Sequence, residues 1–418
     1  GKTDSSDVPV PIEPLRTPPT LDLPAAYVAK DQIVEIDISE YAGYAGLIAA
    51  NGGLAANPDS YFAKEFGFQV KLTLSEGENW SQLNHGRFAA SATTTDVLAV
   101  LGRQFQVRVP VLLSFSRGAD QVVVDTGIAN INQLKGKRLA ASQFNESEFF
   151  IRFLAREAGL TVKVLRDLDG TAGAGELGLV FYEDAFQACD AYGIELNSGK
   201  SRLNGCVGWT PRTEEVVGQS GGRAKVLVSN RNLLIVSDIL TVNSEFATAN
   251  PQWVRGMVQG VLEGNRRLTE QPAEYLSTVA KAFGWSEEQT RDQLKSVHFA
   301  NLPENLAFFA GTIDAAGSFG SIYQSAVLAY GGILKNTVDS DRFMDTSHLE
   351  AIKKAGLFAG QSPAIAPIRG ARSNTLEGDP LLSKDIRFFF EPNSSQLDRN
   401  AKENADFLDT IKGFLQVS

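Results

Sequence analysis

The chain has 418 residues, 43% of them apolar and 21% charged, with 39 basic against 49 acidic side chains and a formal net charge of −10. That length accommodates two or three domains of ordinary size, and the balance is that of a soluble globular protein. The acidic balance disfavours nucleic acid and anionic membrane as partners, and no apolar run reaches the roughly 20 residues of a membrane-spanning helix.

Residues 1–30 form a polar, proline-rich arm that reads as an extended linker inside a longer protein, one whose N-terminus carried an export signal or an anchor. "QIVEIDIS" (32–39) alternates like a strand, and "YAGYAGLIAANGGL" leads from two tyrosines into a helix of small residues. "FQVKLTL" (68–74) predicts a second strand and "WSQLNHGRF" a helix with a glycine end. "AASATTTDVLAVLGRQ" predicts a strand that ends in a threonine cluster and passes into a helix, and "VRVPVLLSFS" (107–116) an apolar strand. Alternation of strand and helix implies a parallel α/β sheet.

A second set opens at "DQVVVDTG" (120–127). "KRLAAS" is a strand and "ESEFFIRFLAREAGL" a helix ended by Gly159. Strands follow in "TVKVLRDL", in "NGCVGWTP" (204–211), in "AKVLVSN" and in "NLLIVSDILTVNSEF" (232–246), with "GLVFYEDAFQACDAYG" of mixed character. From Asn250 and Pro251, a cap followed by a proline suited to the first helical position, the chain is helical to about residue 356. Residues 357–381 are rich in Gly, Pro, Ala and Ser and read as a linker. Residues 382–418 predict one strand and one amphipathic helix, too little to fold alone.

Chemistry-bearing residues gather where strands hand over to helices. "SQFNES" carries five hydrogen-bonding side chains in six residues, more than one cap requires. A helix start offers free N–H groups and a positive dipole end, which suits an anion. Ser142 and Gln143 are therefore candidate ligand contacts, and capping by Asn145 or Ser142 is the structural alternative. Thr93, Thr94 and Thr95 make the same case, with an N-cap box as the alternative. Tyr41 and Tyr44 are either an aromatic wall or core packing, and Trp209 either a lid over a planar ligand or core. Arg117, Asp120 and Asp238 either pair with one another or meet ligand, while Glu76 and Glu78 read as a solvated loop. Cys189 and Cys206 are either a disulfide, favoured by an oxidising compartment, or two buried thiols. No Cys/His spacing resembles a zinc site, and no G-x-S-x-G elbow, Walker loop or G-x-G-x-x-G is present. The expectation is a binding protein without catalytic residues, metal or cofactor.

Residues 32–350 resemble the periplasmic substrate-binding proteins of nitrate/sulfonate/taurine-type ABC transporters. The resemblance rests on "YAGYAGLIAANGGL", "SATTTDVLAV", "FSRGADQVVV", "INQLKGKRLAAS", "LNGCVGWTPRTEEV" and "VSDILTVNSEF", in that order. Tyr41 stands where the family often has Trp, and Asn204 where it often has Asp. "DIRFFFEPNSSQL" is similar to the start of an OmpA-like peptidoglycan-binding domain whose later part is missing here. The resemblance implies a two-lobed periplasmic-binding-protein-like α/β fold, with parallel or mixed sheets, flanking helices and a hinge crossed twice. Lobe 1 would comprise residues 31–117 and 237–356, and lobe 2 residues 118–236. It implies a periplasmic or extracytoplasmic protein whose lobes close on a ligand; the helix starts on both walls predict that the ligand is small, oxygen-rich and anionic, held by Tyr41, Tyr44, Thr93, Thr94, Thr95, Ser142, Gln143, Trp209 and Asp238. An ABC permease would be its partner, with peptidoglycan reached through the missing C-terminal part. The other readings are a structural envelope protein with a degenerate cleft and an enzyme of the same fold, like the pyrimidine-precursor synthases, whose Cys/His-rich motif is not found here.

Overall fold

A computed structural model describes residues 8–313, 317–365, 396–398 and 400–417. Among the described residues twelve strands form two sheets. β1 (Ile33–Ser39), β2 (Gln69–Ser75), β3 (Ala90–Thr94), β4 (Val107–Ser116), β11 (Ser237–Asn243) and β12 (Val297–Phe299) make the first, in the order β12-β4-β11-β3-β1-β2. β5 (Asp120–Asp125), β6 (Arg138–Ser142), β7 (Thr161–Leu165), β8 (Glu176–Tyr182), β9 (Gly205–Trp209) and β10 (Ala224–Ser229) make the second, in the order β10-β5-β9-β6-β8-β7.

Each sheet is mixed. β1 runs parallel to β2 and β3, and β6 parallel to β8 and β9, as strands joined through helices do. β11 lies antiparallel between β3 and β4, and β5 antiparallel between β9 and β10. The chain passes between the sheets at 117–119 and returns at 230–236, so two adjacent segments join two lobes. Gly118 at the first crossing has φ +109°, a value that favours glycine. Its N–H donates to Asn230 Oδ1 (2.8 Å) on the return segment, which ties the two crossings together.

Burial explains the local choices. β4 is buried at nearly every position, hence its unbroken apolar run, whereas the edge strand β2 alternates. One apolar core runs from the first sheet into the near side of the second lobe. A smaller cluster lies under the helix Ala185–Ser198. There Cys189, on that helix, is bonded to Cys206 on β9, and this settles the open choice between disulfide and thiols in favour of the disulfide.

The N-terminal arm does not behave as a free linker. Ile12 N–H donates to the Phe181 carbonyl (2.9 Å) in the second lobe, and Leu21 N–H to Gln104 Oε1 (2.8 Å) in the first. Farther along, Asn243 Nδ2 donates to the Ala25 carbonyl (2.8 Å). The arm therefore straps both lobes. The helix Phe319–Tyr330 bridges them as well, packing on the helices Thr95–Leu101 and Glu146–Glu157. The strand expected near residues 385–390 and most of the linker at 357–381 lie outside the described residues, while Lys402–Val417 is helical.

Candidate functional site between the lobes

Both lobes aim strand ends and helix starts at the junction. β3 ends at Thr94 and passes into Thr95–Leu101, and β6 ends at Ser142 before Glu146–Glu157. β9 delivers Trp209, which pairs in register with Asp120 at the start of β5. Asp238 pairs in register with Thr94 on one side and Ser114 on the other. A cavity of about 20 Å³ remains between the lobes, lined among others by Asp37, Tyr44, Glu78, Thr93, Glu146 and Trp209. That is room for a water molecule, against roughly 300–1,000 Å³ for a typical ligand pocket, so the lobes stand closed. Two roomier hollows, of about 450 and 550 Å³, lie on the first lobe, beneath residues 358–364 and beside the loop 52–57. The first is bordered by His298 and Glu304, already joined to each other at 2.7 Å.

The candidate residues divide by what holds them. Tyr44, Thr93 and Trp209 line the cavity, and Thr93 Oγ1 accepts from Trp80 Nε1 (3.3 Å). Tyr41 packs edge-on against Tyr44 with ring centres 5.1 Å apart, its hydroxyl near Asp238 and Ser116 but without hydrogen-bond geometry. Thr94 Oγ1 and Trp209 Nε1 are buried and have no hydrogen-bond partner among the described residues. Thr95, in contrast, shares its hydroxyl with Ser237 at the hinge (2.7 Å). Ser142 Oγ accepts from Asn145 Nδ2, and Asn145 Oδ1 caps the helix by accepting from Ser147 N (3.1 Å). Gln143 is taken by the arm: its Oε1 accepts from Leu15 N–H (2.9 Å) and its Nε2 donates to the Leu15 carbonyl (2.8 Å). Asp238 Oδ2 accepts from Ser114 Oγ (3.0 Å). The pairing of Arg117 with Asp120 or Asp238 does not form. Asp120 instead takes Asn230 Nδ2 (3.4 Å).

The junction is acidic. Asp96 is wholly buried, and neither carboxylate oxygen meets hydrogen-bond geometry, although Thr94 and its own amide lie close. Burial pushes Asp96 and Asp120 up to about 7. Burial, and then repulsion from Glu78, Asp120 and Asp96, raises Glu146 well above the usual carboxylate range. Asp238 is raised well above it by burial and then by Asp120. Glu78 is pushed up by crowding in the cleft and then by Asp37 and Asp96, although its open side chain lets water blunt the effect. The nearby cations are committed elsewhere, Arg152 to Glu148 (2.9 Å) and Arg212 to Asp190 (3.0 Å). The expectation of an anionic ligand did not foresee this acidic lining. The positive helix ends meant to attract one already carry Asp96 and Glu146 in their first turns.

No known family model matches the sequence, and no curated protein matches it. Solved structures do. The periplasmic nitrate-binding protein NrtA from Synechocystis PCC 6803 superposes with a TM-score of 0.58 at 13% identity, covering 84% of this chain and 94% of its own. The periplasmic aliphatic sulphonate binding protein SsuA from Escherichia coli gives 0.55 at 14% identity, covering 77% and 100%. A ligand binding component of an ABC-type import system from Staphylococcus aureus, with zinc bound, gives 0.55 at 12%, covering 77% and 98%. The chain has the two-lobed periplasmic-binding-protein fold.

In a periplasmic-binding-protein fold the junction of the lobes lies outside the strand ends of both open sheets, where such sheets expose free backbone groups. Sequence reasoning located that junction through the Thr cluster and Trp209. It passed over Asp37 and Asp96, and its reading of Glu76 and Glu78 as a solvated loop agrees with their exposure, although Glu78 also borders the cavity. The one available signal was Asp96 immediately after three threonines. The crowding of the acids is a product of tertiary structure, since they come from five separate stretches of chain.

Proposed function

We propose that this protein is an extracytoplasmic solute-binding protein that encloses a small polar ligand between its lobes, for ABC-type uptake or sensing. One observation carries the reading: buried polar atoms that find no hydrogen-bond partner among the described residues gather at the junction, namely Tyr41 Oη, Thr94 Oγ1, both Asp96 oxygens and Trp209 Nε1. Each such atom costs on the order of 1–3 kcal/mol if nothing answers it, so the set is what a ligand would repay. The sulphonate- and nitrate-binding neighbours support the same reading, and with it an extracytoplasmic location and a transporter partner. Among the described residues no helix is long and apolar enough to cross a membrane. The tie to peptidoglycan rests on the OmpA-like resemblance of the C-terminal sequence alone.

A thermal-shift screen of small polar solutes tests the reading. A true ligand raises the melting temperature, and Thr94→Val and Trp209→Phe diminish the rise. A ligand indifferent to both changes binds elsewhere and removes the assignment. The structural-envelope reading has its own support in the arm and the helix Phe319–Tyr330, which hold the lobes shut. It predicts that no solute in such a screen shifts the melting temperature.

A further inference from the structure

We propose, resting on the solute-binding reading above, that the junction of the lobes takes a small organic cation, an amine or quaternary ammonium, held by Asp96, Glu78 and Glu146 against the rings of Tyr44 and Trp209. Among the described residues no ion pair within 4.0 Å reaches Glu78, Asp96, Asp120, Glu146 or Asp238, while Arg152 and Arg212 are spent on other acids. Acidic side chains alone do not make a site. The second observation is Trp209, which lines the cavity at 6% exposure with its indole N–H unanswered. Asp96, three residues beyond the cavity-lining Thr93, is 0% exposed, and among the described residues neither of its oxygens meets hydrogen-bond geometry. A buried carboxylate without partners is stable in its charged form only when a cation or donors arrive.

The rings give the charge a shape. Tyr44 and Trp209 both face the cavity, and the negative face of an aromatic ring attracts an ammonium group. An anion would be repelled by whichever of these acids is ionised, whereas a cation draws off their protons and pairs with the charge left behind. A metal ion fits poorly, because among the described residues no three His, Cys, Asp or Glu side chains come together as a metal site. Asp37 is not part of the proposed grip, since Ser75, Asn79 and Ser91 already occupy its oxygens.

The test is isothermal titration of the full chain with methylammonium, choline and putrescine, beside nitrate, sulfate and ethanesulfonate, and beside Mg²⁺ and Zn²⁺. The expected result is saturable one-to-one binding of at least one amine. Asp96→Asn and Glu146→Gln each weaken it by about tenfold or more, and Asp292→Asn, a surface change of equal charge, leaves it unaltered. Because Asp96→Asn removes a buried charge and can repack the junction, Glu78→Gln at the open edge provides a second reading of the same loss. Binding of an anion or a metal ion with the amines silent overturns the cation assignment and leaves the solute-binding reading intact. Amine binding untouched by all three acid changes overturns the assignment too. Silence of every probe overturns both.

Discussion

Asp96 shows how a single residue couples the fold to its ligand. Its carboxyl is raised from 3.8 to about 7, chiefly by burial, with Thr94 close by and Asp120 adding repulsion. Glu78, Glu146 and Tyr330 also feel its charge. For an acid raised on folding, the folded state holds the proton more tightly than the unfolded state. The associated stability is fully present below about pH 4 and is lost as pH rises through about 7. The ligand-free protein is therefore expected to be more stable at pH 5 than at pH 8. Asp96→Asn should raise stability at pH 8 by roughly 2 kcal/mol and flatten that slope. Urea melts of both proteins at the two pH values check this, and a slope unchanged by the substitution contradicts it. Residues of this kind mark the limit of sequence reading. The hydroxyls of Thr93–Thr95 were legible as a group at a strand end. Which of them was free was not, because Trp80 claims Thr93 and Ser237 claims Thr95 from 13 and 142 positions away.

Elements were more legible than side-chain partners. β4 occupies Val107–Ser116 and β5 begins at Asp120, where the apolar runs begin. The helix Pro251–Glu270 starts at its proline, although Asn250 makes no side-chain cap there. The face of that helix carries less obvious information. Gly256, Gly260 and Gly264 recur every fourth residue and so share one side. A Cβ on Gly264 would fall 1.8 Å from the Gly46 carbonyl oxygen, and one on Gly260 2.1 Å from the ring of Phe62. Neighbouring backbone cannot yield as a flexible side chain does, so Gly264→Ala should destabilise by on the order of 2 kcal/mol or more, measurable as a lowered urea midpoint. An unchanged midpoint would mean that the helix Ala45–Asn51 moves aside freely. The disulfide works on a third element. It pins the helix Ala185–Ser198 to β9 across a separation of 17 residues, worth about 3 kcal/mol by loop entropy. Reduction under native conditions should lower the melting temperature, and two free thiols in unfolded, unreduced protein would show that no bond had formed.

At the scale of the molecule, the arm, the helix Phe319–Tyr330 and a hydrogen bond from Gln293 Nε2 to Glu214 Oε2 (3.0 Å) join the lobes beyond the two crossings, which the Gly118–Asn230 bond ties to each other. The two-lobed architecture was legible because strand–helix alternation repeats in two sets. The arm's role was not, because its partners lie far off in sequence, Leu15 reaching Gln143 across 128 positions. A chain lacking residues 1–16 loses the anchors at Ile12, Glu13 and Leu15 on the second lobe but keeps Leu21 and Tyr27 on the first. Such a chain should associate with ligand faster, since entry to so small a cavity requires the lobes to part. Stopped-flow traces no faster than those of the full chain would show that the arm does not restrain opening. The central claim, that ligand binds between the lobes, is tested most directly by a crystal structure with the tightest-binding solute. The account predicts ligand density bounded by Tyr44, Thr93 and Trp209, with an Asp96 oxygen within hydrogen-bond distance. Density elsewhere on the protein, with those groups still unanswered, would contradict it.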